Sequence, residues 1–216
     1  SRSQRVLWLL EELRLPYEVK RYERDKKTSL APAELQAIHP LGKSPVITDG
    51  KVTVAETGAI VEYLVEQAGD ALRPAPSTPE HRRYTYWLHF AEGSAMPPLV
   101  MALVFSRIKK APMPFFARPI AKAIADKVLD GFVKPDLKRQ LMFMEQELAA
   151  RTWFTGRAFS AADVMMSFPI EAAASRGAIN ARLPNLAAFL ERIHERPAYL
   201  RALEREHARL VPGLSV

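Results

Sequence analysis

HPLGKSPVITDGKVTVAETG, residues 39–58, is the stretch whose reading decides the fold. Proline has no backbone N–H to give to a β ladder, so it stands at a strand's first position or at an edge. Pro45 therefore opens the run Val46-Ile47-Thr48. Asp49-Gly50 is a hairpin signal, and Val52-Thr53-Val54 is the returning strand. Ala55-Glu56-Thr57 then leads into Ala59, Ile60, Val61, Tyr63, Leu64 and Val65, whose 3.6-residue period predicts a helix.

Upstream, Val6, Leu9, Leu10 and Leu13 recur at helical spacing, and Leu15-Pro16 closes that helix. Tyr17-Glu18-Val19-Lys20-Arg21 alternates as a half-buried strand does. A polar loop over 23–30 and a short helix near Pro32 to Ile38 follow. Strands joined by a helix usually run parallel, so Tyr17 to Arg21 needs a partner that a strand before Val6 would supply.

Downstream, LRPAPSTP at 72–79 holds three prolines and reads as a linker. Everything beyond it is helical in pattern. A long helix runs from Tyr84 to Lys110, bent at Pro97-Pro98; APMPFFARP is a break; a second long helix covers 118–150. Further helices open at Ser160, near Leu186 and near Pro197. Ser160-Ala161-Ala162-Asp163 is a capping box with Asp163 in its third place, flanked by a Phe159–Val164 staple; it reads as structural, its loss costing about 0.5–2 kcal/mol. The fold class expected is α/β plus all-α, with a first domain over 1–71, a linker over 72–79 and a helical domain over 80–216.

The 216 residues are 48% hydrophobic, enough for two ordinary cores. No uninterrupted apolar run approaches the ~20 residues that cross a bilayer, and the start lacks a signal-peptide core, so a soluble, cytoplasmic protein without a membrane partner is expected. Cysteine is absent, which removes disulfides, thiolate metal sites and any thiol nucleophile of the protein's own. Five histidines without i, i+4 spacing give no zinc pattern, and no metal is expected. The formal charge is +7, but 10 basic residues face 11 acidic ones through Asp70, and the later excess is spread along helices without a nucleic-acid motif. Solvated helix faces in a protein that favours anionic ligands are expected, and no nucleic acid.

The order of elements, with SRSQRVLWLLEE at 1–12, HPLGKSPVITDG, AETGAI, YWLHFAEGSAMPP at 86–98 and FSAADV at 159–164, resembles the cytosolic glutathione transferases over essentially the whole chain. Among them it looks closest to the serine-type bacterial and fungal members. The resemblance implies a thioredoxin-like domain followed by an all-helical one, and a homodimer. It implies no cofactor; glutathione enters as co-substrate, to be conjugated to a hydrophobic electrophile, with glutathione peroxidase activity a further expectation. The alternative is a non-catalytic transferase-like module that binds proteins.

The same resemblance implies that Ser44-Pro45 is a cis peptide, which turns the Ser44 backbone outward to pair with the cysteinyl backbone of glutathione as one residue of β-augmentation. Glu56 would take the γ-glutamyl ammonium and the Thr57 hydroxyl its carboxylate, at a helix start whose free N–H groups favour anions. Thr57 also reads as a plain helix cap. Lys43 stands where it would meet the glycyl carboxylate, or reads as a solvated loop lysine. Lowering a thiol pKa of about 8.5 by two units needs roughly 2.7 kcal/mol, and one hydrogen bond to a charged acceptor is worth about 1.5–3 kcal/mol. A single hydroxyl donor beside a helix start therefore suffices. Matching Arg5 to the arginine common in the family's first helix puts that donor at Ser1, with Ser3 the second choice; Ser1-x-x-Gln4 is also a capping box, and Ser3 a plain cap. Family members carry a strand before this serine, and the expectation is that the sequence in hand is clipped. The electrophile pocket is expected between the domains, with Tyr86, Phe90, Met96 and Phe105 as liners, though such residues at helical spacing are more often core.

Overall fold

The computed structural model describes residues 2–23, 25, 28 and 30–207. They form two compact units, one made of 1–81 together with 192–216 and the other of 82–191.

In the first unit α1 spans Arg2–Leu13, and every residue from Gln4 to Leu10 is buried. A helix buried all round needs cover on several sides; α3 (Thr57–Gln67) and α10 (Pro197–His207) both pack on it. Trp8 meets Tyr199 of α10 edge to face, with centroids 5.1 Å apart. Glu12 accepts a bidentate pair from Arg196, at 2.6 and 2.9 Å, and also the indole N–H of Trp8. The C-terminal helix thus shares a core with the first, which the order of elements along the chain did not reveal.

The short α2 (Ala33–Ile38) leads through Gly42 into the hairpin of β1 (Val46–Asp49) and β2 (Val52–Ala55). Gly42 has φ +55°, and a Cβ there would stand 2.9 Å from both Ala31 and Gln36, so only glycine fits. The register pairs Val46 with Ala55 and Asp49 with Val52, and Gly50 supplies the positive φ of the two-residue turn. Among the described residues the sheet has two strands. The expected strand over Tyr17 to Arg21 is not one: the segment has no ladder partner among the described residues, and Glu18, Val19, Lys20 and Arg21 are all exposed. Alternation suggests a strand, but a ladder neighbour makes one.

The second unit is helical. α4 (Pro79–Phe90), which begins in the first unit, runs through a π turn at Ala91–Ala95 into α5 (Met96–Lys110). The wider turn lies just before Pro97 and Pro98, which lack N–H groups to close an ordinary one. A break at 111–117 precedes α6 (Arg118–Val128), and a second π turn, Leu129–Val133, joins α6 to α7 (Lys134–Ala149), again next to a proline, Pro135. α8 (Ala161–Ala174) and α9 (Pro184–His194) complete the set. Trp87, Phe143, Phe154 and Phe189 form an aromatic core, Trp87 lying 5.5 Å from Phe143 and 4.5 Å from Phe154.

Among the described residues the helical stretch Pro79–Lys110, 32 residues, is long and apolar enough by length and composition alone to cross a membrane, a test that core helices of soluble proteins also meet.

Candidate functional site

The hairpin brings the two halves of the sequence motif together. Because Val46 pairs with Ala55, the residues just outside that pair, Pro45 and Glu56, leave the same end of the ladder. Ser44-Pro45 is cis. Ser44 is exposed and makes no backbone hydrogen bond among the described residues, so the chain before β1 offers an open main-chain edge. Lys43, the residue before it, is exposed as well.

Across the hairpin, α3 begins at Thr57 with Glu56 in the capping position. Glu56, not Thr57, occupies the cap, and no side chain closes it. The first closed turn is Ile60 N–H to Glu56 O at 2.9 Å, so the N–H groups of Thr57, Gly58 and Ala59 have no acceptor within the helix. Nothing lies within 4 Å of where a Gly58 Cβ would be, so the surface of the helix start is open at that position. Thr57 is buried and Glu56 is exposed.

Glu56 has φ +69° and ψ +125°, a conformation that L residues adopt at a cost of order 1–3 kcal/mol. Strain of this kind clusters at functional sites. Nothing in the amino-acid order signals it, since only glycine announces a positive φ. Tyr63 of α3 ties the helix to the hairpin by donating to Asp49 at 2.8 Å.

Ser3 lies half-buried in the first turn of α1, and Ser1 falls outside the described residues. Next to Ser3, Gln4 is 5% exposed, and neither its amide oxygen nor its nitrogen has a partner among the described residues. Gln4 was legible in the sequence only as a capping-box partner.

Of the four expected liners, Tyr86 and Phe90 stack at 5.7 Å, with Phe143 beside them, and Tyr86 is exposed. Met96 is buried in the first turn of α5, and Phe105 is half-buried more than two turns further on, so neither joins the ring cluster. Burial raises the Tyr86 hydroxyl pKa, helped by the Glu147 carboxylate and opposed by Arg83.

Residues 1–67 match the model of the glutathione S-transferase N-terminal domain, and residues 101–197 that of the C-terminal domain. Glutathione S-transferase 3 of Schizosaccharomyces pombe is 34% identical over 95% of this chain and 84% of its own length. The chain belongs to the glutathione S-transferase family. Glutathione S-transferase 1 of Saccharomyces cerevisiae is 32% identical, over 96% of this chain and 92% of its own. A sphingomonad glutathione S-transferase, solved in complex with glutathione, superposes with a TM-score of 0.72 at 26% identity, covering 96% and 95% of the two chains. As a glutathione S-transferase the chain has a thioredoxin-like first part, to which the hairpin and α3 belong, followed by helices.

Proposed function

We infer that this glutathione S-transferase binds glutathione at the open end of the β1–β2 hairpin and adds its thiolate to a hydrophobic electrophile. The observation that carries the reading is the pairing of an exposed cis Ser44-Pro45 edge with the strained Glu56 and open N–H groups of α3 at one end of one hairpin. The cysteinyl backbone of the peptide lies along Ser44, with Pro45 setting the turn. Its γ-glutamyl carboxylate meets the start of α3 and the Thr57 hydroxyl, Glu56 takes the ammonium, and Lys43 neutralises the glycyl carboxylate.

The thiol then falls toward the start of α1, where a hydroxyl from Ser1 or Ser3 donates to the sulfur. The thiol proton leaves to solvent, and the sulfur lone pair attacks the electrophilic carbon while that carbon's leaving group, or its π pair, departs. Serine acts as a hydrogen-bond donor and takes no proton. Tyr86, Phe90, Met96 and Phe105 are proposed to bear on the electrophile. Peroxidase activity toward organic hydroperoxides, a homodimeric state, a soluble cytoplasmic location and a domain division at 71 and 80 belong to the same reading.

The test is a titration of the bound thiol by its ultraviolet absorbance, with Ser1→Ala and Ser3→Ala separately and together. A shift of the bound thiol toward its free value of about 8.5 in one of them identifies the donor. Unchanged thiolate formation in the double variant refutes these hydroxyls as donors. Failure of the chain to be retained on immobilised glutathione refutes the site itself.

A further inference from the structure

His39 sits where α2 ends and the chain turns toward the cis edge, and it holds that turn in three ways. Its N–H donates to Leu35 O at 3.1 Å and closes α2. Its carbonyl accepts from Gly42 N–H at 2.8 Å. Its ring Nδ1 accepts from Leu41 N–H at 3.4 Å. Pro40 has no N–H, so both amides inside the turn, those of Leu41 and Gly42, are bonded to His39. Lys43 and Ser44, which follow, make no backbone hydrogen bond among the described residues. The direction in which they leave is therefore set by the turn before them and the cis bond after them.

The ring bond requires one protonation state. A backbone N–H only donates, so Nδ1 must keep its lone pair, and the proton of the neutral ring lies on Nε2. Imidazole is the side chain that ordinarily changes charge between about pH 5 and 8. Protonation sets a second donor against the Leu41 N–H; the half-buried ring then turns toward water, and that amide loses its acceptor. Among the described residues His39 has no ion pair and no other side-chain hydrogen bond. Of the charged groups on the segments it joins, Glu34 of α2 stands 4.0 Å from Lys20, and Lys43 is exposed, so no carboxylate fixes the charge of the ring.

We propose that neutral His39 is a positioning residue for the glutathione edge: it aims Lys43 and Ser44, and its protonation loosens them, so that the site weakens as pH falls through the imidazole range. The inference rests on the reading that glutathione lies along Ser44, and it gives that site a pH response separate from the thiol's. The charge gained by the ring acts the other way, because glutathione is an anion. Salt screens charges that face solvent, whereas the lost bond acts on the edge itself.

The experiment is calorimetric titration of the full chain with S-methylglutathione, whose blocked sulfur removes the thiol's own titration, in about 0.15 M salt and from about pH 7.5 down to about 5.5. The native chain should lose about three- to tenfold in affinity over that range, the worth of one hydrogen bond. His39→Asn keeps an acceptor that does not titrate, since an asparagine side chain bonds the backbone two residues on. It should match the native chain at the upper pH and hold that affinity to the lower. His39→Ala removes the acceptor and should bind throughout with the native chain's low-pH strength. A native profile that is flat or rises toward low pH overturns the proposal, as does an equal fall in His39→Asn or full affinity in His39→Ala; those results leave the site standing. No binding of S-methylglutathione by the native chain at any pH overturns the site, and the proposal with it.

Discussion

Glu56 carries a side chain where glycine would be unstrained, and the two demands on it can be separated. Glu56→Gly relieves the positive φ but enlarges the freedom of the unfolded chain, so stability should hold or rise by up to about 1 kcal/mol. It also removes the carboxylate assigned to the ammonium of glutathione, and affinity should fall about tenfold or more, the worth of one charged hydrogen bond. Calorimetric titration with glutathione beside thermal unfolding checks both. A variant that is destabilised yet binds as well would show that the strain serves the fold. Thr57→Ala, which removes only the hydroxyl, should lower affinity by a similar factor with little change in stability. Asp163 is the opposite case, a buried carboxylate whose work is structural. It accepts from Phe154 N–H at 2.8 Å and from Ser160 N–H and hydroxyl at 2.9 Å, so it holds a residue outside the capping box as well as its own helix start. Burial raises its pKa from 3.8 to about 6 against those donors. The native state therefore binds its proton more tightly than the unfolded chain, and the stability this group gives is full below 3.8 and lost as pH rises through about 6. Asp163→Asn does not titrate, so its deficit relative to the native chain should narrow by up to roughly 3 kcal/mol between pH 4 and 7. Denaturant unfolding across that range measures it, and a deficit that widens with pH reverses the sign.

At the scale of elements, local pattern determines several of the helices and the hairpin. α1, the hairpin, α3 and α8 each announce themselves in a dozen residues or fewer, through a 3.6 or 2.0 period, a turn pair or a capping box, because those signals are set by neighbours in sequence. The strand expected at Tyr17 to Arg21 failed because a ladder depends on a partner elsewhere. The bends expected from Pro97-Pro98 became a π turn one step upstream, since a proline's missing N–H is absorbed by the turn before it. The site divides in the same way. Lys43, Ser44, Pro45 and Thr57 enter the proposed site through the family resemblance of the motif around the hairpin, whereas the positive φ of Glu56 and the buried amide of Gln4 are facts of tertiary structure. The Glu12–Arg196 fork is another such fact, joining residues 184 apart. Its carboxylate is nearly buried and also serves Trp8, so Glu12→Ala removes an acceptor shared by a guanidinium and an indole N–H and should cost about 2–4 kcal/mol. Denaturant melts of Glu12→Ala, Arg196→Ala and the pair should show non-additivity, because the second change removes the charge the first left exposed.

On the scale of the molecule, the unit that holds the proposed glutathione site is discontinuous. Residues 1–81 contain the hairpin and α3, yet 192–216 belong to the same unit, and α10 covers α1 through Tyr199, Arg196 and Arg201. Arg201 donates to Glu11 at 2.7 Å; burial raises that carboxyl's pKa, and the bonds from Arg201 and Tyr17 more than reverse it. A ligand that binds only the folded unit stabilises all of it by RT ln(1 + [L]/Kd), about 2.7 kcal/mol at a hundredfold excess over Kd. If the unit opens cooperatively, glutathione should slow amide exchange in α10 by up to about a hundredfold, although α10 stands at the far end of the chain from the proposed contacts. Hydrogen exchange with and without glutathione, read by mass spectrometry on peptides from α3 and α10, provides the measurement. Protection in α3 with none in α10 would mean that α10 opens on its own and that its packing on α1 does not couple it to the site. Protection in both, abolished in α10 but kept in α3 by Tyr199→Ala, would trace the coupling to the Trp8–Tyr199 contact.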